Sequence, residues 1–378
     1  MSASSSFVGL DIGSTGIRAA QITRHRRSGE LELVRAASVE LPPGAMRNGA
    51  VVDSKAVTHA LKALWRRGRF STRRVAMALS DSGVLTRQVD LPWMPPADFK
   101  TALRYQVGDA LPVDLATVEL DYHPLEEIER KDELGNPAPV NRILVVAANS
   151  EAVEALAATM RKARLEPVIA DSSAFALIRA VCGGRLPQDD AVRAVADIGG
   201  DQLTVVVHQG GQPRFIRSIA NLGGGAATHS LEERLNLEWE AAELLKRDTG
   251  LNGPAPVVVP LAESSVFGST GTEEPMDPRV LATIGVLNPW ATTVVNEIRN
   301  SLDYYQASTT EGRVAALDLV GRTVLLDGLV DRIATQIPLP VTVMPPLLGL
   351  PAAHRVTKQE APDARLAVAI GMAMAVTT

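Results

Sequence analysis

The stretch Val8-Gly9-Leu10-Asp11-Ile12-Gly13-Ser14-Thr15-Gly16-Ile17-Arg18 decides how this chain is read, because its pattern returns in the second half. Apolar Phe7 to Leu10 and Ile17 to Ile22 flank a centre of glycine and hydroxyl residues, which predicts two strands joined by a tight turn. The first strand delivers the Asp11 carboxylate to the sheet edge. Gly13 lets backbone approach an anion with no Cβ in the way, and Ser14 and Thr15 offer hydroxyl and amide donors, a set suited to phosphate. Asp11 would then hold a water of Mg²⁺. Read alone, one Asp-x-Gly step is better explained as an Asp-capped turn. The second copy changes that reading: Val192 to Ala196 is apolar, Asp197-Ile198-Gly199-Gly200-Asp201 follows, and Leu203 to Val207 is apolar again before a Gly210-Gly211 turn. Two such hairpins can face each other across a cleft, and together they favour a phosphate and metal site over a repeated turn.

The 378 residues allow two or three packing units. With 46% hydrophobic and 21% charged residues the chain has globular composition, which excludes collagenous, coiled-coil and disordered classes. A net charge of −5 gives no whole-chain attraction to nucleic acid or an anionic membrane, so any such patch is local. Cys182 is the single cysteine, and the six histidines are dispersed, so neither a disulfide nor a local zinc motif is expected. No secretory signal is expected, since Asp11 interrupts the first apolar stretch. The longest uncharged run, Ile337 to Ala353, holds five prolines and is not expected to span a bilayer. A reducing, cytoplasmic location is therefore expected.

Between the two hairpins the pattern predicts a strand over Glu30 to Glu40 and a helix over Ser54 to Arg66. A block from Arg74 to about Leu165 reads strand (Val75 to Leu79), strand (Val84 to Leu91), helix after Pro95-Pro96, strand (Val118 to Leu125), strand (Arg142 to Ala148), helix N-capped by Ser150. Charged Glu126 to Asn141 reads as an exposed hairpin loop. Helical segments are expected around Ala226 to Arg247, Pro289 to Tyr305, Leu325 to Gln336 and Ala364 to Ala375, with a strand over Val314 to Val320.

The doubled hairpin resembles the actin-like ATPase superfamily, whose related halves each open on such a phosphate hairpin. Leu222-Gly223-Gly224-Gly225 is similar to its Gly-Gly loop near the phosphates, and Glu243-Leu244-Leu245-Lys246 to its Glu-x-x-Lys helix segment that grips ribose and base. Read without the resemblance, these are a helix-entry turn and an i,i+3 surface pair. Within the superfamily the chain resembles the PilM family of type IV pilus assembly, on Val8 to Ser14, Leu41-Pro42-Pro43-Gly44-Ala45, Thr86 to Pro92, Ala174-Phe175-Ala176-Leu177 and Ala367 to Ala373.

That resemblance implies an α/β, actin-like (ribonuclease H-like, duplicated) ATPase fold with an FtsA-type inserted 1C subdomain. Residues 1–73, 166–190 and 355–378 would form subdomain 1A, 74–165 the insert, 191–222 with 311–354 subdomain 2A, and 223–310 subdomain 2B. It implies ATP or ADP with Mg²⁺, held by Gly13, Ser14, Thr15, Arg18, Gly199, Gly200, Gly223, Gly224, Glu243, Lys246 and Gly321, with Asp11 and Asp197 on the metal. It implies a PilN-like bitopic membrane protein as partner, whose cytosolic tail is expected in the groove between insert and first half. Membrane contact would come only through that partner, with no nucleic acid, and self-association stays open. Three departures stand out. Arg18 replaces the usual Lys, Ser172-Ser173 lacks the acidic residue of the first connecting helix, and Gly321-Arg322-Thr323 replaces a Gly-Gly-Gly run at the adenosine. Slow or absent ATPase activity is therefore expected.

The alternatives are a small-molecule kinase of the same superfamily, for which no acceptor base is evident, and an FtsA-like filament protein, which would need a C-terminal amphipathic helix. Arg66-Arg67-Gly68-Arg69 with Arg73-Arg74 reads first as a basic helix end complementing the helix dipole, with a lipid or nucleic-acid patch as the alternative. Trp93 reads equally as a buried anchor or a partner-binding aromatic.

Overall fold

The computed structural model describes residues 7–25, 28–108, 110–131, 136–183, 190–253, 277–309, 312–344, 350–353 and 364–375. The first hairpin is β1 (Val8–Ile12) and β2 (Gly16–Arg24), followed by β3 (Leu31–Glu40), a small hairpin of β4 (Met46–Arg47) and β5 (Ala50–Val51), α1 (Ser54–Gly68) and β6 (Arg74–Leu79). The next elements are β7 (Val84–Pro92), α2 (Pro96–Gln106), β8 (Val118–Lys131), β9 (Pro137–Asn149), α3 (Ser150–Lys162), β10 (Glu166–Ser172) and α4 (Ser173–Val181). The second half begins with β11 (Val192–Ile198), β12 (Gln202–Gln209) and β13 (Gln212–Ala220), then α5 (Gly224–Leu235), α6 (Trp239–Thr249) and α7 (Pro278–Ser308). It ends with β14 (Val314–Val320), α8 (Leu329–Gln336), β15 (Val341–Val343) and α9 (Ala367–Met374).

The duplication is visible in the sheets. The first runs β3-β2-β1-β6-β10 and the second β13-β12-β11-β14-β15. In both, the hairpin and third strand are antiparallel and the last two strands are parallel to the first. Helices α1 and α3 cover one face of the first sheet around Leu61, Leu64 and Met160, while α5, α7 and α8 build the second core around Leu231, Ile298 and Ile333. Between the sheets lie α4 and α9, and Ala176, Leu177 and Met372 pack with Val195, Val206 and Val320. Every residue of α9 is buried, as expected of a helix apolar all round. The parallel strands β1, β6, β11 and β14 therefore point their C-terminal ends into one cleft, where ligands of α/β sheets bind.

Several expectations need correction. The block 74–165 is narrower as a separate unit: β6 is the centre of the first sheet's parallel part, and α3 packs into that half's core through Leu156 and Met160. The insert proper is the three-stranded sheet β7-β9-β8 covered by α2. Glu126 to Asn141 is strand rather than loop through Lys131 and from Pro137, while residues 132–135 lie outside the described ones. Charge does not prevent pairing here because the carboxylates are matched. Arg142 binds Asp90 through Nε at 2.8 Å and Glu126 through Nη1 at 2.8 Å, all three side by side across the strands.

The N-cap of α3 is Asn149, whose side chain accepts from Ala152 N at 2.9 Å, not Ser150. The segment Ala226 to Arg247 is two helices, broken where Asn236 takes a left-handed φ of 50°. Helix α7 starts at Pro278 on the Asp277 cap, well before Pro289, and α8 starts at Leu329 after a short 3₁₀ turn. Trp93 is 46% exposed, which removes the buried-anchor reading.

Candidate functional site

The two hairpin turns are closed by the same bond, Gly13 N donating to Gly16 O and Gly199 N to Gln202 O, each at 3.0 Å. The amides of Ser14 and Gly200, next in each turn, donate to no backbone carbonyl among the described residues. The tips touch: a Cβ at Gly200 would lie 2.6 Å from Ser14 Oγ, so only glycine lets the halves meet here. The Ser14 hydroxyl is buried and has no hydrogen-bond partner among the described residues. An orphaned buried hydroxyl is costly and marks a place where a ligand oxygen fits.

Beneath the tips lies a cavity of about 90 Å³, walled by Asp11, Ser14, Thr15, Arg18, Asp197 and Gly321 among others. Arg18 Nη1 meets Asp11 Oδ2 at 3.3 Å. Burial raises the Asp11 carboxyl above its usual range, against the pull of Arg18. Asp197 is pushed up to about 7, first by burial and then by repulsion from Asp11, with Arg18 opposing. Two half-buried carboxylates thus share one cavity, and of the arginines that line it Arg18 is the one paired with Asp11. Gly321, at φ 98°, leans on one of them, since a Cβ there would lie 2.3 Å from Asp197 Oδ1.

No group of three His, Cys, Asp or Glu able to hold a metal occurs among the described residues. A pair of carboxylates beside phosphate donors fits Mg²⁺, which keeps several waters and shares phosphate oxygens rather than demanding an all-protein cage.

A second cavity, about 340 Å³, adjoins the first and shares Thr15, Gly200, Arg322 and Arg365 with it. Its wall carries the Glu243 and Lys246 pair. Lys246 Nζ donates to Glu243 Oε2 at 2.5 Å, Gly224 O at 2.9 Å and Thr228 Oγ1 at 2.7 Å. Burial alone would raise Glu243, but Lys246 and Thr228 hold its carboxyl below the usual range. The glycine loop serves differently from expectation. Gly224 N and Gly225 N donate to Gly199 O and Gly200 O, at 3.0 and 2.7 Å, so these amides brace the second hairpin. Gly223 lines neither cavity and is packed against Gly200, while Gly224 lines the outer cavity.

Arg322 stands between the chambers. Its guanidinium meets Glu40 of the first half at 2.8 Å and Glu243 of the second at 3.5 Å, bridging the mouth of the cleft. Thr323 Oγ1 donates to Gly199 O at 2.7 Å and tethers the second hairpin. The two side chains that replace glycines are thus built into the site.

Sequence reasoning missed Asp81, which follows β6. It accepts from Ser172 Oγ and Ser173 Oγ at 2.6 Å each and from Ala174 N at 3.2 Å, supplying a carboxylate at the start of α4. Burial raises its pKa, and Asp81 in turn adds to the repulsion felt by Asp197. Asn48-Gly49, with φ of 48° and 78°, also lines the inner cavity; the Asn-Gly step is a hairpin signal that was there to be read.

The model of the family described as type IV pilus assembly protein PilM matches residues 9–264 and 281–377. Among solved structures, a PilM-PilN type IV pilus biogenesis complex is similar at TM-score 0.79 and 23% identity, over 98% of each chain. Ethanolamine utilization protein EutJ from Carboxydothermus hydrogenoformans is similar at TM-score 0.54 and 15% identity, over 98% of this chain and 89% of that one. MreB 5 of Spiroplasma citri bound to AMPPNP follows at TM-score 0.50 and 12% identity, over 97% and 95%. These likenesses establish an actin-like fold, and the chain belongs to the PilM family of type IV pilus assembly proteins.

Proposed function

We propose that the chain is a nucleotide-dependent scaffold of the pilus assembly platform, working at the cytoplasmic face of the inner membrane. The observation that carries the nucleotide reading is the pair of touching hairpins with the orphaned Ser14 hydroxyl above two half-buried carboxylates. Phosphates of ATP or ADP take the amides of Ser14 and Gly200 and the hydroxyls of Ser14 and Thr15, with Gly13 and Gly199 giving close backbone approach while their own amides close the turns, and with Arg18 beside them; Asp11 and Asp197 would hold the water shell of Mg²⁺. The ribose and base occupy the outer chamber along Glu243 and Lys246, past Arg322. Bound there, Mg²⁺ would supply charge neutralisation of the phosphates; the chain's own residues orient them and close the two halves over them. Hydrolysis is slow, because Asp81, the carboxylate at the start of α4, is already engaged by three donors and is not free to orient an attacking water. In a titration calorimeter, Asp11→Ala and Asp197→Ala should each weaken MgATP about ten- to a hundredfold, from roughly 1.5–3 kcal/mol of charge-linked contact. Unchanged affinity in both rejects this site.

The partner is the cytosolic tail of a PilN-like membrane protein, and the groove between insert and first half is its seat. No described helix is long and apolar enough to cross a membrane, which suits a borrowed anchor. The groove, about 730 Å³, is lined by β8 and β10, each the outermost strand of its sheet, with Val153, Phe175 and His123 along it. Unpaired strand edges recognise extended peptides by backbone pairing and alternate side-chain pockets. The similar PilM-PilN complex supports the identity of the partner class. A labelled tail peptide should lose affinity for Val168→Lys, a charge placed on β10 in the groove; wild-type affinity there moves the tail elsewhere.

A further inference from the structure

Two open grooves, about 830 and 740 Å³, adjoin on the outer face of α1 and share His59 and Lys62. Their walls carry six exposed cations, Lys55, Lys62, Arg66, Arg73, Lys162 and Arg164, against one carboxylate, Asp53. That carboxylate is occupied as the cap of α1, accepting from Lys55 N at 2.9 Å and Ala56 N at 3.0 Å. None of the six cations is in an ion pair among the described residues. In a chain of net charge −5 this is a local feature that opposes the whole.

The helix-dipole reading accounts for only part of it. Arg66 and Lys162 lie in the last turns of α1 and α3, where cations are favoured. Lys55 sits in the first turn of α1, where a cation is disfavoured, Lys62 is mid-helix, and Arg73 and Arg164 are outside helices. Between the cations lie two half-buried aromatics, Trp65 and Phe70, with ring centroids 5.0 Å apart. Cations interleaved with half-exposed aromatics are the composition of a bilayer interface.

We infer that this face makes direct contact with acidic phospholipid headgroups. Its position supports that partner. Helix α3 lines the tail groove with Val153, Ala157 and Arg161, and its end, Lys162 to Arg164, lines the basic grooves. A tail rising from a bilayer into its groove brings the end of α3 to the membrane surface; in this the inference rests on the tail reading above. The lipid contact adds to the borrowed anchor a weak, salt-sensitive one that orients the scaffold.

The test uses the full chain sedimented with phosphatidylcholine vesicles containing about three parts in ten phosphatidylglycerol, and no membrane protein. Wild type should bind these at low salt, leave pure phosphatidylcholine vesicles unbound, and be released at about 0.5 M salt. The triple variant Lys62→Ala, Arg66→Ala, Arg164→Ala should partition roughly a hundredfold less, at about fivefold per cation. It should keep wild-type affinity for the tail peptide, which separates this surface from the tail site. Absent binding by wild type, equal binding by the variant, or tail affinity that falls with it each overturns the inference. So does tighter, variant-sensitive binding to a double-stranded oligonucleotide, which makes this a nucleic-acid surface.

Discussion

Replacing Asp197 by Asn should stabilise the metal-free protein at high pH while weakening its metal site. An unfolded Asp titrates near 3.8, whereas burial and repulsion from Asp11 push the folded Asp197 to about 7. Below the lower value both states carry the proton and nothing is lost. As pH rises the unfolded chain ionises first, so stability falls and the loss is complete once pH passes about 7. Three pK units correspond to about 4 kcal/mol as an upper bound. The amide introduced by Asp197→Asn cannot ionise, so the variant lacks this fall. In urea unfolding followed by circular dichroism with a chelator present, the two proteins should be close at about pH 4.5 and should diverge in favour of Asp197→Asn by a few kcal/mol at about pH 8. With Mg²⁺ and ATP added at the higher pH, wild type should gain more stability than Asp197→Asn, by about 1.4–2.7 kcal/mol in excess nucleotide for a ten- to hundredfold difference in affinity. A difference between the two proteins that stays constant across that range refutes the idea that two carboxylates are held together for a cation.

Arg322→Gly removes the bridge between Glu40 and Glu243 and should tighten MgATP about two- to tenfold; the gain is modest because Glu40 is 73% exposed and its pair is screened. Weaker binding instead would mean that the guanidinium stacks on the base. Asp81→Ala strands the Ser172 and Ser173 hydroxyls, while the Ala174 amide keeps its cap bond to Ser172 Oγ at 3.1 Å, so urea unfolding should show a loss of about 2–4 kcal/mol. Steady-state ATP turnover should be far below the roughly 1–100 per second of phosphoryl-transfer enzymes, and a rate within that range would restore the kinase alternative.

What could be read from the sequence was short-range. Asp-Ile-Gly is spelled twice, each time between apolar runs, and a hairpin closes within a few residues, so both turns fall where expected. The bonds that complete the site span long separations: Asp81 reaches Ser172 across 91 positions and Arg322 reaches Glu40 across 282. No local pattern carries such pairings. Strands β10 and β13 escape a sequence reading because their burial is set by the sheets they join rather than by a strict alternation of their own. The charged continuation of β8 reads as loop because the partners of its side chains, Asp90 and Arg142, lie on other strands. Gly223 and Gly224 match a phosphate loop by spelling, yet their immediate neighbours in space are Gly200 and Thr323.

The most direct measurement places the nucleotide on the chain. Photolabelling with 8-azido-ATP and Mg²⁺, followed by digestion and peptide mapping, should mark the outer chamber. Label is expected in the peptides that carry Glu243 to Lys246 or Gly321 to Leu326, lost in Asp11→Ala and competed by ATP. Label confined to other peptides, such as those of the basic α1 face, or label that ATP does not displace, would contradict the cleft as the nucleotide site.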